Sequence, residues 1–303
     1  MPNNDWGVVG GAKSYVRWLF SSVFNSRFSD VNRPLLIVTG SDSSHFFSQM
    51  QFLASAVRFE PEAIVVMWDL GLSSEQVTSL QKEFPEVQYR KFPYDQYPEY
   101  FDVTKLRGEY AWKPVAIELS AREFSLENAG QILLWCDAGN VIFKPLRWAR
   151  RYVGKTKVFA PFSRGNILEW THPATIEYFQ LDSVEVLRSN CCSCFVGFDL
   201  GQKEAWDVIT NWAELASKKE IFAPPGSSRG LGQETRHRQD QSVLTCLLVR
   251  KDLLTDGSFR TNWTEEYLTH QDIDKRQGVT ISKPKSLFFR LFERVLRNKR
   301  YSA

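Results

Sequence analysis

The sequence predicts an α/β/α sandwich on a mainly parallel sheet, from three observations. Short apolar runs alternate with stretches of helical periodicity across residues 35–143. Several of those runs end in an acid or a hydroxyl. No repeat or linker divides the 303 residues, so the chain has the length for one large core with elaborations. An apolar content of 43% with 24% charged residues is that of an ordinary globular protein. The 38 Lys and Arg against 35 Asp and Glu leave a net charge of +3, too even to select nucleic acid as a partner. Five cysteines are an odd number for a disulfide framework. No apolar run approaches the ~20 residues of a membrane-spanning helix. Asn3, Asn4 and Asp5 do not begin a signal peptide.

Each element follows from its local pattern. Residues 13–28 carry Tyr15, Val16, Trp18, Leu19, Phe20, Val23 and Phe24 among Lys13, Arg17 and Arg27, an amphipathic helix within an N-terminal segment 1–30. A strand over 35–39 then runs into the polar turn "TGSDSSH". Helical spacing over 46–59 is broken by Pro61. "AIVVMWDLGL" is a second strand ending at Asp69, residues 74–84 are helical, and "VQYRKF" is a third strand. A helix from about residue 114 precedes "QILLWCDAGNVIF", the fourth strand, with Asp137 at its end. Beyond it lie loop-like "APFSRGNILEWTHP", the apolar strand "CFVGFDL", a helix near 203–217, a Gly/Pro/Ser-rich loop and a helix over 240–249. The main domain on this reading spans 31–280.

Single residues have two readings each. Asp137 is either a turn-capping acid or an acid awaiting a ligand, because the small residues Ala138 and Gly139 let a ligand approach and an unpaired buried carboxylate is costly. Lys113 at a helix start opposes the macrodipole, which favours an anionic partner over a merely solvated lysine. Asp240 is a helix N-cap or a site acid. Cys191, Cys192 and Cys194 include one CxxC spacing with no second pair, so they read as small residues at a strand start. Gly154-Lys155-Thr156 and Gly10-Gly11 lack the spacing of phosphate-binding loops. Asn262-Trp263-Thr264 is a glycosylation sequon, relevant only to a secreted chain.

The ordered series is more specific than its parts. "YAWKPVAIELSAREFSLENAGQILLWCDAGNVIF", "SCFVGFD" and "HRQDQSVLTCLL" together resemble nucleotide-sugar glycosyltransferases of the GT-A (Rossmann-like) fold, nearest to the glycogenin-like retaining branch. "SSHFFSQMQFLASAVRFEPEAIVVMWDLGL" is similar to a group of uncharacterised glycosyltransferase-like sequences with an Asp-Leu-Gly-Leu signature. The resemblance covers residues 35–250. It implies transfer of a sugar from a nucleotide donor, UDP-linked in that branch, to a glycan, protein or lipid-linked hydroxyl. Thr39, Gly40 and Ser41 would line the nucleoside pocket, with Asp69 near the base or ribose. Lys113 would meet the diphosphate, and Asp137 would serve the ribose or a divalent metal. Asp240 and Gln241 would act at the reacting carbon of the sugar.

One departure stands out. Gly139 occupies the second acid's place in the Asp-x-Asp motif and offers no ligand, so the resemblance implies Mn²⁺ or Mg²⁺ held by Asp137 with help from the donor phosphates and from His270. A catalytically inactive nucleotide- or sugar-binding relative is the alternative. A Rossmann-type methyltransferase or nucleotidyltransferase lacks its glycine fingerprint here. At 281–303, Phe288, Leu291, Phe292, Val295 and Leu296 share a helical face opposite Arg290, Arg294 and Arg297, which fits peripheral membrane contact as well as packing on the domain. The expected location is cytoplasmic, or the Golgi lumen for a catalytic domain cut from a longer chain.

Overall fold

A computed structural model describes residues 32–126, 130–227, 236–254, 267–269 and 274. The helix expected over 13–28, the face expected over 281–303, His270, the Gly10-Gly11 pair and the sequon lie outside the described residues. Strand β1 (Leu35–Ser41) leads to helix α1 (Phe46–Phe59), β2 (Ile64–Asp69), α2 (Ser74–Glu83) and β3 (Gln88–Lys91). Helix α3 (Trp112–Phe124) crosses back to β4 (Ile132–Cys136), followed by β5 (Asn140–Ile142) and α4 (Arg147–Thr156). Next come β6 (Val158–Phe159), β7 (Phe162–Asn166), α5 (Ile167–Trp170), α6 (Pro173–Tyr178), β8 (Ser189–Cys191) and β9 (Phe195–Asp199). Helices α7 (Lys203–Ala216), α8 (Lys219–Phe222) and α9 (Gln239–Arg250) and strand β10 (Tyr267–Thr269) complete the described chain.

The central sheet has the order β3-β2-β1-β4-β9-β6. Its first four strands are parallel, and only β9 runs against the rest. Two antiparallel pairs, β5 with β10 and β7 with β8, lie outside it. Because β1 pairs with β2 on one side and β4 on the other, the chain reverses its direction of travel across the sheet between β1 and β4. The crevice beyond their carboxyl ends is where ligands gather in such sheets.

Both faces of the sheet are covered, which explains why its strands read as unbroken apolar runs. Leu36, Val38, Leu133 and Trp135 point into one core with Val115 of α3, Trp212 of α7 and Leu244 of α9. Leu35, Ile37, Ile132 and Leu134 point the other way, onto Phe52 and Leu53 of α1, Leu80 of α2 and Val153 of α4. A Cβ at Gly197 of β9 would stand 2.4 Å from Val153, so glycine is what lets α4 close on the sheet. Helix α1 gets no cap from its own N-cap residue, His45. Its first amides are met by Asp274, whose carboxylate accepts from Phe47 N (2.8 Å), Ser48 N (3.2 Å) and the Ser48 hydroxyl. No helix of the described residues is long and apolar enough to cross a membrane.

Three expectations change. Strand β1 continues past Thr39 through Gly40 and Ser41, pairing them with Trp68 and Asp69, where a polar turn was expected. The stretch "APFSRGNILEWTHP" is not loop: β7 pairs with β8, and Asn166 and Glu169 form a capping box that starts α5. Such a short, polar strand has no apolar alternation to reveal it. Helix α3 begins two residues before Pro114, so Lys113 lies inside its first turn, where proline is tolerated.

Candidate functional site at the carboxyl end of the sheet

Lys113 reaches the crevice from the first turn of α3 and is 3% exposed. Its ammonium stands 3.1 Å from Asp137 Oδ1 and 2.8 Å from Asp240 Oδ2. Its Nζ also lies 3.5 Å from both the hydroxyl and the carbonyl of Ser193, and 5.7 and 5.6 Å from the ring centroids of Tyr110 and Trp135. Burial alone would lower the lysine's pKa. The carboxylates of Asp137 and Asp240 outweigh it and hold the group above the ordinary lysine range.

Asp137 directly follows β4. Its backbone N–H donates to Cys194 O (2.9 Å), and its Oδ1 accepts from Trp135 Nε1 (2.7 Å) as well as from Lys113. The expectation that this charge awaits a ligand is therefore corrected: Lys113 and Trp135 of the chain itself meet it. The reading of Asp240 as an N-cap is corrected too. Arg238 is the N-cap of α9, and Asp240 lies in the first turn, where an acid complements the macrodipole. Its Oδ2 accepts from Ser193 Oγ (2.6 Å) and its carbonyl from Trp212 Nε1 (3.1 Å). Gln241 turns toward β7, with Nε2 3.4 Å from Ser163 Oγ. Ser163 also accepts from Arg238 (2.7 Å), whose guanidinium stacks 3.6 Å over Trp170.

The approach to α3 is unusual. Arg107, Gly108, Glu109 and Tyr110 have φ of 60°, 60°, 46° and 57°, four left-handed residues in succession. Only glycine fits the second place, because a Cβ there would meet Phe101 O at 2.1 Å. Glu109, 4% exposed, accepts from Gln239 Nε2 (2.9 Å) and so ties this turn to the start of α9. Gln239 itself has φ 33°. Strain of this kind persists where the surrounding contacts over-determine the chain.

The remaining expected residues lie along the same edge. Thr39 and Ser41 have buried side chains, and Thr39 donates to Gln49 of α1 (3.3 Å). Gly40 faces the opposite core, 3.2 to 3.3 Å from Trp68 and Leu70 by its would-be Cβ. Asp69 Oδ1 accepts from Gly71 N (2.8 Å) and Leu72 N (2.7 Å), so it shapes the turn of the Asp-Leu-Gly-Leu segment. Beside it, Asp42 accepts from His45 Nδ1 (2.8 Å) and Ser44 Oγ (2.7 Å). Burial raises the Asp42 carboxyl, but these hydrogen bonds prevail and hold it at about 2, while His45 is raised by Asp42.

The structure thus brings Lys113, Asp137 and Asp240 to one point, while Gln241 turns to Ser163, and Thr39, Ser41 and Asp69 lie at the carboxyl ends of β1 and β2. Sequence reasoning missed Ser193, Trp135, Glu109 and the Asp42 and His45 pair. Ser193 was within reach, since it lies in the quoted "SCFVGFD". Glu109 carries no sequence signal. Among the described residues no group of three His, Cys, Asp or Glu is placed to hold a metal ion. Asp137, with its side chain 26% exposed, offers a single carboxylate to an ion brought by a ligand.

Residues 21–118 match a family described as a protein of unknown function, DUF1647. No curated protein sequence matches the chain. Among solved structures it is similar to the WbbM bifunctional glycosyltransferase, at 11% identity and a TM-score of 0.42, over 74% of this chain and 45% of that one. It is similar to the galactosyltransferase LgtC in complex with donor and acceptor sugar analogs, at 13% identity and 0.41, over 70% of each chain. It is also similar to mouse xyloside xylosyltransferase 1, at 10% identity and 0.42, over 73% of this chain and 83% of that one. The chain spans less than half the length of the first of these structures.

Proposed function

We propose that the protein is a GT-A glycosyltransferase that moves a sugar from a nucleotide donor, on our reading a UDP-sugar, to a hydroxyl of a glycan, protein or lipid-linked acceptor. One observation carries the reading. Residues 113 and 137, from the helix start and the strand end of the first segment of the resembling series, meet residue 240 of its last segment: the Lys113 ammonium lies 3.1 Å from Asp137 and 2.8 Å from Asp240. In glycosyl transfer the bond from the anomeric carbon to the diphosphate breaks, a bond to the acceptor oxygen forms, and the acceptor hydroxyl gives up its proton.

In this proposal Lys113 supplies positive charge beneath the leaving diphosphate, where a preorganised cation is worth most. Asp240 faces the positive charge that develops at the anomeric carbon, and Gln241 orients the sugar or acceptor, with retention of configuration as the stereochemical proposal. Thr39, Gly40, Ser41 and Asp69 border the nucleoside. Mg²⁺ or Mn²⁺, neutralising the diphosphate, would be held by Asp137 together with the donor phosphates, and by His270 on the resemblance. A lipid-linked acceptor would bring the face over 281–303 to a membrane surface.

A second reading has its own support. Lys113 is already shared by two acids, and Gly139 replaces the motif's second acid, so a protein that binds donor without turning it over is the rival. Calorimetry against UDP- and GDP-sugars, followed by a hydrolysis assay of the donors that bind, decides between them. Binding with slow hydrolysis supports the transferase, and NMR of the product then gives the anomeric configuration. Binding with neither hydrolysis nor transfer supports the rival, and no binding defeats both.

A further inference from the structure

Between β8 and β9 the chain places two thiols in contact. Cys192 Sγ and Cys194 Sγ are 2.9 Å apart, on either side of Ser193. Cys192 is part-exposed, and Cys194 is 9% exposed. The other three cysteines are more deeply enclosed: Cys136 is 1% exposed, and Cys191 and Cys246 are fully buried. Cys191 is further engaged with Thr245 Oγ1 at 3.0 Å. Hydrogen bonding with Cys194 lowers the Cys192 pKa despite burial, whereas burial pushes Cys136 and Cys191 up. Reactive thiols are the accessible ones with thiolate character, and a neighbouring thiol can resolve them.

The loop that carries this pair is the one that holds the site together. Ser193, between the cysteines, donates to Asp240 (2.6 Å) and stands 3.5 Å from Lys113. The carbonyl of Cys194 accepts from Asp137 N (2.9 Å) and Asn140 Nδ2 (2.6 Å). The Cys192 amide is held on Pro161 O. Any change in the path from Cys192 to Cys194 therefore reaches all three charged residues.

We propose that Cys192 and Cys194 form a redox modification site, closed to an intramolecular disulfide by a hydroperoxide, and that closure withdraws Ser193 from Asp240 and Lys113. The Cys192 thiol ionises, its thiolate attacks a peroxide oxygen and the O–O bond breaks; the departing hydroxide takes the proton that Cys192 gave up and leaves as a first water, while Cys192 becomes a sulfenic acid. Cys194 Sγ then attacks Cys192 Sγ. The S–O bond breaks, and the departing hydroxide takes the Cys194 proton as a second water. The thiols lose two electrons and the peroxide gains them. The disulfide itself is independent of the function proposed above, whereas its effect on donor binding rests on that reading.

The test treats the full chain with hydrogen peroxide in small molar excess. Intact mass should fall by two hydrogens, and alkylation should count three thiols where the untreated protein has five. The peptide of residues 189–203 should carry the link. Cys192→Ser and Cys194→Ser should each abolish it, and Cys191→Ala should retain it. Oxidation should lower the melting temperature, reversibly with dithiothreitol, and weaken any nucleotide-sugar binding at least tenfold. Five thiols persisting, sulfinic acid without a link, or a link through Cys191 or between two chains would overturn the site. A clean disulfide that leaves the melting temperature unchanged would overturn the coupling to Ser193. A disulfide with the expected melting shift, in a protein that binds no nucleotide sugar in either state, would uphold this proposal and defeat the glycosyl-transfer reading.

Discussion

The two ends of the central sheet both bury charge, and they do it differently. At the amino end, Arg33 is paired with Asp199 through both guanidinium nitrogens and Arg150 with Glu60 likewise, at 2.8 and 2.5 Å for the latter. Each arginine also gives its Nε–H to a backbone carbonyl, of Gly130 and of Arg33, and Glu60 also accepts from Leu146 N. One cation meets one acid, fork to fork. At the carboxyl end a single ammonium serves two acids, Asp137 and Asp240. A lysine is a point charge that can exchange partners without losing a planar fit, whereas a bidentate arginine pair cannot. The amino end is built to stay shut, and the carboxyl end is built with an acid in surplus.

Removing the shared cation gives the largest expected effect. Lys113→Met leaves two acids together in a buried site and should cost about 3–5 kcal/mol, as measured by urea unfolding. A lysine waiting only for a diphosphate would instead leave the melting temperature of the apo protein nearly unchanged when replaced. Adding Asp240→Asn should recover part of the loss by removing one of the stranded charges. If Lys113→Met proved as stable as the parent, the contrast between the two ends would collapse.

Acid should weaken the carboxyl end through His237, which is fully buried, accepts from His172 N and lies beside Phe222 O. Burial lowers its pKa from 6.5 to about 4. A group depressed in the folded state contributes nothing adverse above 6.5. Below that, the unfolded chain takes up a proton that the folded one refuses, and the loss levels off below about 4. That difference amounts to roughly 3 kcal/mol. Unfolding measured across pH 7 to 4 should show the decline, and His237→Gln should flatten it.

Asp137→Ala sharpens the contrast at a smaller scale. It removes the acceptor of Trp135 and one of the two partners of Lys113, so the apo protein should lose about 1–3 kcal/mol. A carboxylate poised only for a ligand would give no loss or a gain. In the same protein, calorimetry with Mn²⁺ should show little affinity without nucleotide and clear affinity with it, and the Asp137→Ala variant should lose the latter.

The smallest effect belongs to Asp42 and His45, whose side chains are 30% and 44% exposed. The Asp42 part is present above its ordinary 3.8 and is lost as pH falls through about 2. The His45 part is full below 6.5 and is lost as pH rises through its raised value. Between those limits Asp42→Asn should cost only ~0–1 kcal/mol, since solvent screens the pair.

Much of the scaffold was legible because it rests on local patterns. The helix over 46–59 is bounded by its apolar spacing and by Pro61, and the structure returns the same limits. The site was legible only as separate residues. Lys113, Asp137 and Asp240 each had an ordinary reading, and their meeting depends on strand order and on β9 running antiparallel, which no local pattern encodes. Ser193 meets Asp240 across 47 residues, and Glu109 meets Gln239 across 130. Ser41 was placed in a turn because polar residues usually end a strand, but here it stays in the ladder beside Asp69 with its side chain buried.

The cap on α1 carries a consequence for how the chain is made. The helix leaves the ribosome well before the carboxylate that receives its opening amides, which belongs to Asp274, 226 to 227 residues later. Closing so long a loop is slow and needs the intervening sheet already in place. The early helix must therefore wait, its first turn hydrated, until nearly the whole domain has been synthesised. A nascent chain stalled before residue 274 should expose that turn to protease, and one stalled well beyond it should not.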